Sequence, residues 1–219
     1  MGDFIREVDE EYRRDRIMQI WKRYSGLIVA LAVLLVAAVG GWRYWQHVER
    51  QRAEDAAIRY EEALRLARDG KSEDAGKALE ALAKDAPSGY QTLSRFRLAA
   101  ELGKQTPEDG AKAFDALAND GRVEAVMQDL ARLRAAMLRF DTGDAAVQPA
   151  LERLATPTNA WRHSARELLG LLAIKRGDYD GAGRWFDQIA GDRDTPQALR
   201  SRLEIYTSLV AGGPVQTTQ

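Results

Sequence analysis

The sequence predicts an all-α protein: an N-terminal transmembrane helix followed by a solenoid of helix pairs. Three observations support this fold class. An apolar run at residues 27–39 lies between two clusters of aromatic and basic side chains. Beyond it, apolar residues recur at helical spacing along almost the whole chain, and no segment alternates with the period of a strand. Glycines interrupt this helical pattern at intervals of 33, 40 and 34 residues (70 to 103, 103 to 143, 143 to 177), a length typical of two-helix repeats.

The apolar run has the properties of a membrane span. There is no charged residue between Tyr24 and Trp42, and a helix from Trp21 to Trp42 would be roughly 32 Å long, close to the hydrocarbon thickness of a bilayer. Aromatic rings favour the boundary between water and lipid, where basic side chains can reach the headgroups. We therefore predict a transmembrane helix at residues 24–45. Its membrane-interface residues are Trp21, Tyr24, Trp42, Tyr44 and Trp45.

A cleaved signal peptide is the alternative for this segment, because small residues at positions 36–38 resemble a cleavage site. Residues 1–23, however, carry six acidic and six basic side chains, whereas a secretory n-region is usually short and basic. Six basic residues precede the span and four follow it within about twenty residues. This bias predicts a cytoplasmic tail at residues 1–23 and a C-terminal domain on the outer side of the inner membrane.

The chain after the span is predicted to be helical throughout. Residues 46–55 are charged and contain neither glycine nor proline, so we expect them to continue the transmembrane helix as a stalk. Residues 56–211 are predicted to form the repeat domain, because a helix pair cannot bury its apolar face alone and neighbouring pairs must stack. The predicted apolar faces are Ala56, Tyr60, Ala63, Leu64 and Ala67; Ala75, Ala78, Leu79 and Leu82; and Val126, Leu130, Leu133 and Met137.

Four glycines are expected to end helices within this domain, because a glycine just past a helix can adopt the left-handed conformation. They are Gly70, Gly103, Gly143 and Gly177. A closing helix is predicted at residues 199–210, followed by a flexible tail at residues 212–219.

The last full unit matches the tetratricopeptide pattern. Leu169-Gly170, the turn at Gly177, Ala182 and Phe186 stand at the offsets of that pattern. Gly170 and Ala182 allow the two helices of the unit to approach closely, and Phe186 fills the gap between them. The match is incomplete, because Arg166 stands where the pattern prefers a large aromatic side chain.

Composition excludes several classes of function. The net charge of −1 gives no basic footprint for nucleic acid, and the absence of cysteine excludes disulfides, thiol catalysis and cysteine-ligated zinc. The two histidines are too few for an imidazole-rich metal site. There is no nucleophile elbow, metalloprotease motif or phosphate loop. We therefore predict no enzymatic activity, no cofactor and no small-molecule substrate.

Two surfaces are candidates for binding partners. One face of the predicted span carries small residues within about 60° of one another: Gly26, Ala30, Ala37 and Gly41. Such a face favours docking against another transmembrane helix. The alternative is that apolar spans are simply rich in glycine and alanine. The concave face of the solenoid is the second candidate. We expect five arginines to be exposed there and available to a partner: Arg95, Arg97, Arg132, Arg134 and Arg139. The alternative is that they form intrahelical pairs on a solvated surface.

An aromatic residue at the start of a predicted helix, Trp161, is a candidate for an exposed anchor. Packing of Trp161 and His163 against the preceding unit is the alternative.

Taken together, these features resemble the YfgM-type family of ancillary Sec translocon subunits. The resemblance rests on the exit motif at residues 41–45, the aromatic and basic cluster at residues 21–24, Tyr60 with Gly70, Gly177-Asp178, and Thr195-Pro196 before the last helix. It implies an inner-membrane protein with a periplasmic repeat domain that associates with the Sec translocon and with periplasmic chaperones. The longer charged tail departs from the family pattern.

The leading hypothesis is a membrane-anchored adaptor that holds periplasmic chaperones beside the translocon exit. The alternative is a scaffold for envelope assembly or cell division that uses the same repeats without contacting the translocon. A third hypothesis is a regulator whose cytoplasmic tail senses a signal or is degraded, while the repeats sense the state of the envelope.

Overall fold

A computed structural model of the protein describes residues 3–213; of residues 3–17, 19–22 and 28 it describes the backbone alone. Within this range the chain forms nine helices and no strand, as the sequence predicts. They are α1 (Asp3–Arg68), α2 (Ser72–Asp85), α3 (Ser88–Gln105), α4 (Pro107–Ala118), α5 (Ala125–Leu138), α6 (Val147–Leu154), α7 (Arg162–Lys175), α8 (Tyr179–Ala190) and α9 (Gln197–Gly212). The chain divides into two compact units between Asp55 and Ala56.

The first unit is helical from Asp3 onward and contains the predicted span. It includes one segment that is long and apolar enough to cross a bilayer, and none of the residues in that segment is buried by the rest of the protein. The predicted stalk, residues 46–55, is also helical. Exposure of an uninterrupted apolar surface is what a span requires, since lipid rather than protein must cover it.

The second unit is a stack of sequential helices, in which each helix from α2 to α8 packs against the next. Four clusters of buried and partly buried side chains follow one another along the stack, and each draws on three or four consecutive helices. The cluster of α5, α6 and α7 contains Leu133, Leu151 and Leu169, for example. Because each cluster shares helices with the next, the core is continuous along the repeats, as a solenoid requires.

Alanine allows the helices of this stack to approach closely. Fully buried alanines include Ala63, Ala75, Ala99, Ala131 and Ala165. A methyl group at a helix crossing keeps the two axes near the short end of the usual 8–10 Å range. The larger buried side chains, such as Phe186 and Leu151, then fill the spaces between crossings.

Two of the predicted turn glycines end their helices by the same hydrogen-bonding motif. Gly70 and Gly177 have φ angles of 79° and 77°, and the residue after each donates its amide to a carbonyl five positions earlier, at 2.9 Å. This is the Schellman arrangement, which needs a left-handed residue at the turn. Gly143 also has a positive φ, of 75°, but it lies in the loop between α5 and α6 rather than directly past a helix.

The prediction for Gly103 was wrong. Gly103 lies inside α3, is buried and has no positive φ. It is instead the point of closest approach between α3 and α4: a Cβ built on Gly110 would lie 2.4 Å from the Gly103 Cα atom. The chain turns three residues later, at Thr106, with Pro107 as the first residue of α4, a position where proline costs no hydrogen bond.

The tetratricopeptide contacts predicted for the last unit are present. Leu169, Gly170, Ala182 and Phe186 are buried, and a Cβ on Gly170 would lie 2.4 Å from the Phe186 ring. The two helices therefore meet as the pattern requires. The closing helix is also present as α9, two residues longer at each end than predicted. Residues 214–219, most of the predicted tail, lie outside the described residues.

The departure at Arg166 has a structural explanation. Its side chain is 7% exposed, and its Nε atom donates to the Ala155 carbonyl at 3.0 Å. Its Nη1 atom lies 3.3 Å from a carboxylate oxygen of Asp192, in the loop between α8 and α9. Asp192 also pairs with Arg162 at 2.7 Å. The guanidinium therefore replaces an aromatic side chain by bonding α7 to the two segments on either side of it, which satisfies a buried charge.

Candidate functional site

An open apolar groove lies on one side of the helical repeats, with a volume of about 570 Å³. Its walls come from the last turns of α1 and from α3, α4 and α5. The described residues that line it are Tyr60, Leu93, Phe96, Arg97, Ala100, Phe114, Met127, Leu130, Arg134, Met137 and Leu138. This volume is within the range of cavities that bind drug-sized molecules or a few large side chains.

Helix α5 explains why the groove is apolar and open. The predicted core face of this helix was Val126, Leu130, Leu133 and Met137, and of these only Leu133 is buried. Val126 and Met137 are 43% and 44% exposed. The core is made instead by Ala131 and Ala135 on one side and by Leu133 with Ala136 on the other. The alanines bring the neighbouring helices close, so the larger apolar side chains are left facing the groove.

Helix α3 supplies the adjoining wall. Phe96 packs against the Phe114 ring of α4 with 5.7 Å between ring centroids in an edge-to-face arrangement, a favourable geometry for two aromatic rings. This contact fixes the position of the Phe96 ring. Leu93, one turn earlier, is 42% exposed. The groove therefore presents a firm aromatic side and a more flexible side of methionine and leucine.

The charged side chains among the described lining residues are both guanidinium groups. Arg97 pairs with Glu101 of its own helix at 2.7 Å, and its Nε atom is buried without a hydrogen-bond partner in the described part of the chain. Arg134 is exposed. Burial raises the pKa of Tyr60, against a smaller opposing effect of Arg97, so the phenol is neutral at physiological pH. The groove is thus an apolar surface whose margin carries the exposed Arg134 cation beside the Arg97–Glu101 pair.

The other predicted arginines are committed to structural contacts. Arg95 pairs with Asp120 at 2.7 Å, and Arg132 pairs with Asp129 at 2.6 Å while donating to the Ala118 carbonyl at 2.8 Å. The side chain of Arg139 is only 15% exposed. It bonds both oxygens of Glu108 at 2.9 and 3.0 Å and Asp115 at 2.7 Å. These three are therefore not exposed contacts for a partner. Carboxylates of neighbouring segments hold Arg95 and Arg139, whereas Arg132 pairs within α5, as the pairing alternative predicts.

Trp161 packs against the preceding unit rather than serving as an exposed anchor. Its indole nitrogen donates to the Val126 carbonyl of α5 at 2.8 Å, and the ring lies against the cluster of α5, α6 and α7. His163 is buried, with Nε2 at 3.0 Å from Asp192. Both residues therefore belong to the structural framework. Trp161 confirms the packing alternative, whereas the partner of His163 lies in the loop after α8 rather than in the preceding unit.

The candidate residues of the first unit lie on one continuous helix. Gly26, Ala30, Ala37 and Gly41 are exposed, as the docking hypothesis requires. Tyr24, Trp42, Tyr44 and Trp45 are 44%, 60%, 72% and 57% exposed. The side chain of Trp21 lies outside the described residues. Among the described residues, no group of acidic or histidine side chains is arranged to hold a metal ion.

Sequence reasoning did not find Leu93, Phe96 and Met127 as groove residues. The available signal was the distribution of small and large residues on α5, where Ala131 and Ala135 take the core side and two methionines share another face. Methionine is common on adaptable binding surfaces.

The fold and the groove together define a class: a helical-repeat protein with an N-terminal apolar helix and an open apolar groove on its repeats. The chain belongs to the tetratricopeptide repeat-like domain family, whose model matches residues 19–205. The match includes the apolar helix as well as the repeats.

Three related proteins carry the name ancillary SecYEG translocon subunit. The protein of Aggregatibacter actinomycetemcomitans is 26% identical over 83% of this chain and 88% of its own length. The protein of Escherichia coli (strain K12) is 26% identical over 78% of this chain and 84% of its own length. The protein of Haemophilus influenzae is 22% identical over 83% of this chain and 88% of its own length. These relatives confirm the family resemblance drawn from the sequence. No solved structure matches the chain significantly.

Proposed function

We propose that this protein is a membrane-anchored, non-enzymatic adaptor at the Sec translocon, which links exported proteins to periplasmic chaperones through its helical repeats. The observation that supports it most strongly is the open apolar groove on the repeats, in a chain whose relatives are named ancillary SecYEG translocon subunits. An exposed apolar surface of this kind is costly in water unless a partner covers it for part of the time.

The proposal places the apolar helix in the inner membrane as a retained anchor. The excess of basic residues before the span supports a cytoplasmic N-terminus and a periplasmic repeat domain. In that arrangement the groove is on the side where exported chains emerge. Cysteine-free repeats are compatible with this oxidising compartment.

The anchor is proposed to contact the translocon through its small residues. In lipid, helices associate by close packing of their backbones, and glycine or alanine at the contact permits it. A Cβ atom added at Gly26 or Gly41 would have no neighbouring atom within 4 Å, so this face of the helix is free to receive another helix.

Photo-crosslinking in native membranes tests the translocon contact. A photoreactive residue is placed at Ala30 or Ala37, and adducts are identified by mass spectrometry. Leu35 and Val39 provide matched controls, because they are exposed on the opposite face of the same helix. Adducts with channel subunits from Ala30 and Ala37, but not from the controls, are expected. Adducts with lipid alone, or with division and envelope-assembly proteins, would favour the scaffold alternative.

A second experiment tests the chaperone link. Deleting residues 56–211 should leave the anchor inserted, because insertion depends on the apolar helix, and should abolish recovery of periplasmic chaperones with the purified protein. Membrane fractionation and quantitative mass spectrometry measure both. Undiminished chaperone recovery by the anchor alone would contradict the role given to the repeats.

A further inference from the structure

The polar groups of the groove restrict the kind of segment it can bind. Among its described lining residues only Tyr60, Arg97 and Arg134 have polar side chains. Guanidinium groups donate hydrogen bonds and cannot accept them, so the phenol oxygen is the single side-chain acceptor in this set. The backbone groups of α3 and α5 are already used within their own helices.

An extended peptide is therefore a poor occupant. Laid in this groove, it would bury backbone N–H groups that have almost no acceptor to meet, and each such buried group costs free energy comparable to a lost hydrogen bond. An α-helix satisfies its own backbone and presents side chains alone. The groove accordingly fits a helix better than a strand-like segment.

The apolar lining fits the side chains that one face of a helix presents. Leu93 and Met137 are 42% and 44% exposed on helices α3 and α5, which form two walls of the groove. Apolar residues at i, i+3, i+4 and i+7 of a partner helix form a stripe that can lie between such walls. Methionine on one wall can repack around partners of different sequence.

Charge determines which amphipathic helices fit. The margin carries two guanidinium groups, of which Arg97 is paired with Glu101 at 2.7 Å and Arg134 is exposed. A carboxylate at the edge of the partner's apolar stripe would form a charge-assisted hydrogen bond with Arg134. A lysine there would instead be repelled by the Arg134 cation.

We propose that the groove formed by α1, α3, α4 and α5 binds an amphipathic α-helix of a partner protein, whose apolar stripe is flanked by aspartate or glutamate. This inference rests on the proposed function in taking the repeats as the partner-binding part of the protein. It adds the conformation and charge of the segment that is recognised.

Binding of designed peptides to the full-length protein in nanodiscs tests the proposal. The probe is a fluorescein-labelled helical peptide of about 18 residues, with leucine at i, i+3, i+4 and i+7 and glutamate beside the stripe. Two further peptides share its length: one has lysine in place of glutamate, and one has proline at its centre to break the helix. Fluorescence anisotropy gives the dissociation constants, and empty nanodiscs report binding to lipid.

Matched variants locate the site. Met137→Glu should weaken binding of the glutamate peptide about tenfold or more, because it places a like charge on the apolar wall. Leu209→Glu is the control: Leu209 is 46% exposed on α9, outside the groove, against 44% for Met137, and it should leave the dissociation constant unchanged. Arg134→Glu, at an exposed position, should reverse the preference from the glutamate peptide to the lysine peptide.

Each contrary result overturns a stated part of the proposal. Equal or tighter binding of the proline peptide would exclude the helix. Equal binding of the lysine peptide would exclude the charge preference, and equal losses in Met137→Glu and Leu209→Glu would exclude the groove. Concentration-dependent self-association of the full chain, abolished by Met137→Glu, would show that a second copy fills the groove. The crosslinks from Ala30 and Ala37 do not depend on the groove, so they report separately on the translocon role.

Discussion

Helices α3 and α4 approach so closely at Gly110 that a single methyl group should destabilise the repeat domain. A Cβ at position 110 would lie 2.4 Å from the Cα and 2.6 Å from the backbone nitrogen of Gly103, and 2.9 Å from the Ala99 carbonyl oxygen. All three are backbone atoms, which cannot move aside by a change of rotamer. We predict that Gly110→Ala forces the two helices apart.

The size of the effect follows from these distances. Carbon atoms in contact are usually about 3.5–4.0 Å apart, so the helices must separate by roughly 1 Å or more. Overpacking of this kind costs about 1–3 kcal/mol, and a contact with immobile backbone belongs at the upper end. Replacing glycine by alanine inside a helix raises the free energy of unfolding by about 1 kcal/mol through helix propensity. The net loss is about 2 kcal/mol of unfolding free energy, or about 4–8 °C in Tm for a domain of this size.

Gly76→Ala is the matched control. Gly76 stands in the second turn of α2, as Gly110 does in α4, and has no atom within 4 Å of its Cβ position. This substitution should therefore raise the stability by about 1 kcal/mol through helix propensity alone. Thermal unfolding of the full-length proteins in detergent, followed by circular dichroism and by tryptophan fluorescence, to which Trp161 and Trp185 of the repeat domain contribute, measures both variants.

A Gly110→Ala variant that is as stable as Gly76→Ala, or more so, would refute the reasoning. The two helices would then have space for a methyl group, and the close α3–α4 crossing would not be a constraint on this sequence. A variant of unchanged stability would show that relaxation elsewhere absorbs the contact.

Three further predictions concern the repeats. Phe186→Ala should lower the unfolding free energy by about 3–5 kcal/mol in urea titrations, because the ring is fully buried; a loss below about 1 kcal/mol would contradict that burial. Hydrogen bonds from Arg162 hold the pKa of Asp192 below its usual value, so the stability contributed by this carboxylate is complete above about pH 4 and is lost as the pH falls below that. Asp192→Asn should remove this acid-dependent component from the stability profile, and an unchanged profile would contradict it. Trp161→Phe should cost about 1 kcal/mol in thermal unfolding, since the indole donor to the Val126 carbonyl is lost while the packing is largely kept; no change would show that water replaces this bond without cost.

Several features of the protein could be predicted because they depend on residues close together in sequence. Helical periodicity over short segments indicated the all-α class, and the absence of charge between Tyr24 and Trp42 indicated the span. Gly70 and Gly177 were identified as turns because the left-handed residue of a Schellman motif belongs to the helix it ends. The contact between Gly170 and Phe186 could be predicted for the same reason, because both residues belong to one helix pair and their spacing follows the tetratricopeptide pattern.

Predictions that depended on distant neighbours were less successful. Gly103 was assigned to a turn because glycine commonly ends helices, but its partner is Gly110 on the next helix. Arg139 was expected to be exposed or to pair within its own helix, yet Glu108 and Asp115 of α4 hold it. Neither carboxylate is within a helical turn of Arg139, so local charge patterning could not identify these pairs.

The sequence by itself determined that the chain is helical, that it carries one apolar segment long enough for a membrane, and that its helices come in pairs. These properties arise from hydropathy, periodicity and turn chemistry, which act over a few residues. The tertiary structure alone decided which apolar side chains remain exposed. The face of α5 containing Leu130 and Met137 has the periodicity of a core face, but the alanines beside it are the residues that the neighbouring helices cover. Burial depends on which helices meet and how closely. The groove exists because the neighbouring helices cover the alanine face of α5 and leave the face with the larger side chains open.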